Sequence, residues 1–151
     1  MLACVSDGFP SAADLRVQIA ILEANRYDRR QARKQEKEAA ARKAAWDFMI
    51  AKWRSADHEA LLDKVFIATG LGRFSVPVMR FPAKLCTDHG RAVNNELDGW
   101  EATLPGKAAD FYCVWRDTLK PQGYRLHAWV VDFPDGMPGD VGLFLDWTAS
   151  H

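Results

Sequence analysis

The chain has 151 residues, 48% of them hydrophobic and 26% charged, and its 20 basic and 20 acidic side chains cancel, so global charge names no partner. A chain of this length buries roughly two thirds or more of its unfolded surface, so one ordinary domain plus an extension stands without a metal or a disulfide. The three cysteines, Cys4, Cys86 and Cys113, are odd in number and form no C-x-x-C pair, which argues against a disulfide framework or a zinc ribbon and for a reducing compartment, the cytoplasm.

The opening Met1-Leu2-Ala3-Cys4-Val5 is apolar but ends at Ser6-Asp7-Gly8 and has no basic flank, too short for a secretory h-region. No apolar run approaches the roughly 18 residues of a membrane span. Pro10 and Ser11 then supply a stop and an N-cap, Asp14 sits at N3 where a carboxylate suits the helix dipole, and neither Gly nor Pro recurs until Gly70. The pattern predicts a helix of about 40 residues, roughly 60 Å long and longer than a small domain is wide, so that part of it must project or pair. Ser55 and Asp57 offer a fresh cap for a second helix over 57–69. The composition changes at 55–57 and divides the chain into a long charged helical segment, 1–56, and a compact α/β domain, 57–151.

Residues 74–81 are rich in aromatic and β-branched side chains and read as a strand, with Pro77 placing it at a sheet edge. Thr87 is expected to cap a short helix whose inner face is Val93, Leu97 and Trp100. Pro105-Gly106 opens a helix with Ala108, Phe111, Tyr112, Trp115 and Leu119 on one face, closed by Lys120-Pro121 and Gly123. Residues 124–132 and 141–147 read as two further strands joined by a loop dense in turn residues. The fold class is α+β: a long N-terminal helix in a helical hairpin, then a small antiparallel sheet of about three strands with helices on one face.

On a helical wheel of the first helix, Leu15, Ile19 and Leu22 share a face with Arg26, Arg29, Arg30, Arg33 and Lys37. An apolar seam thus turns basic and sets like charges at i, i+4, which works against the isolated helix. A second stripe, Trp46, Met49, Ile50 and Trp53, is the face expected to bury against the C-terminal domain. Between Arg26 and Lys43 there are eight basic and three acidic residues, whereas Asp132, Asp135, Asp140 and Asp146 follow Arg125 with no Lys or Arg among them. Charge is balanced overall but segregated. The stripe reads as a solvated face, as a docking surface for a carboxylate-bearing protein or a second copy, or as a phosphate-binding track along about 16 Å of helix. No helix-turn-helix, RNP or Cys/His-finger signature accompanies it.

Catalytic chemistry has one weak locus, Cys86-Thr87-Asp88-His89-Gly90-Arg91, where a thiol at a helix start with Cys86, Asp88 and His89 close in sequence resembles a nucleophile–base pair. Free cysteines at strand ends also simply pack inward. Cys86, His89, Cys113 and His127 are the residues of suitable type for zinc, but no metal-ligand spacing joins them, and no metal is expected. The acidic loop 132–140 has three carboxylates at a spacing unfamiliar for calcium and reads as a shaped connection. Gly-rich phosphate signatures and a nucleophile elbow are absent, so no cofactor is called for. Arg91, Asn94 and Asn95 offer a polar groove or a wet helix face. The functional expectation is a non-catalytic protein–protein interaction or assembly protein that uses the helix, with nucleic-acid association through the basic stripe and a small thiol enzyme using Cys86 and His89 as alternatives, and with no membrane partner.

Overall fold

The computed structural model describes residues 8–149; Cys4 and the apolar opening segment lie outside the described residues. The chain divides into two compact units, Met1–Ala44 and Ala45–His151. The first helix, α1 (Ala12–Ile50), is 39 residues long and contains no buried residue. Ser11 caps it as expected: its hydroxyl accepts the Asp14 N–H at 3.0 Å. Lacking a Gly or Pro to stop it, the segment continues until the 51–54 linker.

The unit Ala45–His151 is α+β. Helix α2 (Ser55–Gly70) begins two residues earlier than its sequence signals suggest. Arg54 occupies the cap position, and the Asp57 carboxylate at N3 reaches back to accept the Arg54 N–H at 2.9 Å. Strand β1 (Ser75–Pro82) follows, then the single turn α3 (Arg91–Asn94), helix α4 (Gly106–Val114), strand β2 (Arg125–Val130) and strand β3 (Asp140–Asp146). Helix α4 widens into a π turn over Trp115–Leu119 and tightens at Lys120–Gln122 before Gly123, at φ +95°, ends it.

The sheet is antiparallel with order β1-β3-β2, so β1 is an edge strand, where Pro77 can lack a ladder donor. The β1–β3 register slips between Pro77 and Met79, a bulge that places Val78 outside the pairing. One face of the sheet, through Val76, Phe81, Leu126, Val141, Leu143 and Leu145, packs against Leu61, Val65 and Ala68 of α2 and Ala108 and Phe111 of α4. The i, i+4, i+7 spacing of the α2 trio is what aims them at the sheet. The other face is open and carries Arg80 of β1, Trp129 of β2 and Phe144 of β3.

Two expectations change. The stripe Trp46, Met49 and Ile50 is exposed, at 66%, 45% and 58%. Instead Phe48, half-buried, stacks on Phe81 with ring centroids 5.3 Å apart, and only Trp53 of the stripe packs inward, 4.5 Å from the Phe111 ring. The cause is a close approach of backbones. A Cβ on Gly106 would overlap the Phe48 carbonyl oxygen and the Met49 main chain, so the last turn of α1 lies directly on the start of α4. The second change concerns α3. Thr87 does not cap it; the Asp88 carboxylate accepts the N–H groups of Gly90 (3.0 Å) and Ala92 (2.8 Å), and the helix lasts one turn. Of its expected inner face Val93 is buried, Trp100 is half-buried in a separate 3₁₀ turn (Trp100–Thr103), and Leu97 is exposed.

Candidate functional site

Arg26, Arg29, Arg30, Arg33 and Lys37 are all exposed on α1. Among the described residues none of them has a carboxylate within salt-bridge distance, and the Lys34/Glu38 and Glu38/Arg42 spacings produce no ion pair either. The stripe is therefore five exposed cations with no carboxylate partner among the described residues. Ahead of it Leu15, Val17, Ile19, Ile21 and Leu22 are exposed as well, so the N-terminal third of the helix presents apolar surface on more than one face.

The acidic C-terminal hairpin is differently placed. Arg80, from β1, bonds Asp140 at 2.6 Å and approaches Asp132 at 3.3 Å. Asp132 also accepts the Asp140 N–H, and its main-chain carbonyl accepts the Gly139 N–H at 3.0 Å, which closes the 132–140 loop on itself. Asp146 lies 3.3 Å from His127 and accepts from the Thr148 hydroxyl and N–H, which, with the positive charge of nearby groups, holds its carboxyl below the ordinary range. Three of the four acids are thus engaged within the domain. Arg80, the partner of Asp132 and Asp140, lies more than fifty residues upstream, out of reach of a local charge count.

The sequence-level catalytic cluster does not assemble into an activated thiol. Cys86 is 3% exposed within the core, and burial, with the neighbouring Asp88 charge, pushes its thiol up to about 11. Asp88 is occupied as a cap, and His89, at φ +57°, faces solvent. A thiol held protonated at neutral pH is a poor nucleophile. The four zinc-type residues are not brought together: Cys113 is exposed on α4, and among the described residues no group of three or more His, Cys, Asp or Glu converges. Arg91, Asn94 and Asn95 are all exposed.

Two features escape a reading by periodicity. On α2, Leu62, Phe66 and Ile67 form an exposed apolar strip beside the buried face, joined in sequence by Leu71 and Phe74. Along β2 lies a cleft of about 350 Å³ lined by Val93, Glu96, Leu97, Asp98, Trp100 and residues 126–129. Its walls come from segments 30 residues apart, and only the loop after α3, with Glu96 in the left-handed region at φ +52° and Gly99 at φ +81°, brings them together.

Among the described residues no helix is long and apolar enough to cross a membrane. Compared with known proteins, the chain matches no family model, no curated protein and no solved structure.

Proposed function

We propose that this is a non-catalytic interaction protein whose α1 helix docks, through Arg26, Arg29, Arg30, Arg33 and Lys37, onto a carboxylate-bearing surface of another protein, in the reducing cytoplasm that its scattered cysteines suit. The observation that carries this reading is a 39-residue helix with no buried residue and a stripe of exposed cations without a carboxylate partner among the described residues. Five cations along two to three turns repel one another, a local cost of a few tenths of a kcal/mol per pair that a complementary partner would offset. A second copy is the weaker partner in this scheme, because Asp132, Asp140 and Asp146 already have partners within the domain. The same stripe supports a second reading, non-specific phosphate contact with nucleic acid, through counterion release.

Solution mass by light scattering at low and high salt, with absorbance at 260 and 280 nm across the same peak, separates these. The proposal expects a chain free of nucleic acid that forms a salt-sensitive complex with an acidic partner, and loss of that complex in the triple reversal Arg29→Glu, Arg30→Glu, Arg33→Glu without a change in melting. A triple variant that associates as the wild type does would overturn it, and co-purifying nucleic acid lost in the same variant would establish the second reading.

A further inference from the structure

The cleft beside β2 has no part in the reading above, and its lining combines aromatic and acidic side chains. Trp100 and Trp129 are among its lining residues, Glu96 and Asp98 give it carboxylates, His127 gives it an imidazole, and no lysine or arginine lines it. Its volume falls at the lower end of the range typical of small-molecule sites. We propose that this cleft binds an organic cation, a guanidinium or alkylammonium group, carried by a small molecule or by an arginine or lysine side chain.

Four observations support that choice. An indole face attracts cations through its quadrupole, more strongly than the other aromatic side chains. Trp129 is prepared for this: Phe144 stacks on one face of its ring at 3.9 Å and 10°, which fixes the ring plane, while the residue remains 46% exposed. Glu96 and Asp98 set the sign, since two carboxylates in one cleft repel an anion and lower the energy of a cation. Among the described residues strand β2 is paired only with β3, so backbone carbonyls on its other edge, beside the cleft, have no ladder donor there and can accept from N–H groups.

Glu96 closes the single turn beside the cleft. Helix α3 closes with the Leu97 N–H donating to the Ala92 carbonyl at 2.9 Å and the Glu96 N–H to the Val93 carbonyl at 3.2 Å, with Glu96 at φ +52°. Glycine is the usual residue at that position because a Cβ is strained there. Glu96 thus stands, like His89 and Asp135, where glycine would be less strained.

The test is a titration of the full-length ¹⁵N-labelled chain, following the indole N–H signals of its six tryptophans. Agmatine and tetramethylammonium are the cationic probes, at concentrations up to about 50 mM, the weak range expected of a single cation–π contact with carboxylate support. Propionate is the anionic control. Saturable shifts confined to Trp100 and Trp129, weakened at least tenfold in Glu96→Gln/Asp98→Asn, support the proposal. Glu96→Gly separates structure from binding: it should melt higher than the wild type and bind the cations more weakly. Two further arms identify the source of the cation. Tighter binding of a capped arginine tripeptide than of agmatine assigns a polypeptide side chain, and the reverse assigns a small molecule. Shifts of the same two signals on concentrating the free chain, lost in the α1 triple reversal, assign the stripe of a second copy. Absence of a saturable Trp100 or Trp129 response to both cations, an equal response to propionate, or undiminished binding by the double carboxylate variant overturns it.

Discussion

The helix over 12–44 and the domain over 45–149 meet the cost of ordering a chain by opposite means. In the domain, buried side chains run from Leu61 to Leu145 and converge from two helices and three strands on one sheet face. In the helix over 12–44 no residue is buried, and apolar and basic side chains alike are exposed. Packing of an amphipathic face normally supplies most of a helix's stability. Where that is missing, length and propensity must serve, and the run Glu38-Ala39-Ala40-Ala41-Arg42-Lys43-Ala44-Ala45 is composed of strong helix formers. Substitutions in the domain should therefore register in stability, and substitutions in the helix in association.

The sharpest form of that contrast is Phe111→Ala. Phe111 is fully buried, packs on the Trp53 ring, and faces the sheet from the centre of the core. Its truncation should cost about 4 kcal/mol in urea or thermal unfolding, from lost transfer free energy plus a cavity that β3 cannot collapse into. A loss below about 1 kcal/mol would mean that the core is not organised around α4.

Much of the domain was legible in the sequence, for identifiable reasons. Pro77 marked an edge strand because a missing N–H can be tolerated only there. The Ala108–Phe111–Trp115 spacing located α4, and the turn residues of 132–140 located the hairpin. The absence of Gly and Pro from 12 to 69 gave α1 its length. What was not legible depends on distant neighbours. Phe48 rather than Trp46 turns inward because the α1 backbone meets Gly106, a contact between positions nearly 60 apart that no wheel can register. The acids of the hairpin look unpaired until Arg80 is placed opposite them. The cleft at β2 joins a loop closed by a strained Glu96 to a strand 30 residues later, and neither segment carries a motif. Cys86 beside His89 looks like chemistry until burial is known.

A smaller effect tests how the start of the domain is fastened. Asp57 accepts the Arg54 N–H and the Lys107 ammonium, each at 2.9 Å. The Arg54 backbone bond first, then the Lys107 bond, holds its carboxyl below the ordinary value of 3.8. A depressed carboxylate contributes stability that is complete above its unfolded pKa and is lost as pH falls through the lower folded one. Asp57→Ala should therefore cost about 1 kcal/mol at pH 7, the usual value of a helix-start acceptor. The gap to the wild type should close at acid pH, below 3.8. Paired urea titrations at several pH values measure this, and a gap constant down to acid pH would show that the side chain acts through packing rather than charge.

The least effect on unfolding, and the most direct test of the contrast, is expected of Ala40→Gly. Ala40 is exposed in the interior of α1. Glycine there costs the helix about 1 kcal/mol locally. If the helix over 12–44 is held by propensity alone, circular dichroism at 222 nm should fall, while the cooperative transition of the domain, followed by tryptophan fluorescence, should move by less than about 0.5 kcal/mol. The decisive comparison is between the two probes on one sample. Coincident shifts would mean that α1 and the core unfold as one cooperative unit and that the basic stripe shares in folding. A shift in the first probe only would leave the stripe free to be ordered, and its repulsion relieved, by whatever it binds.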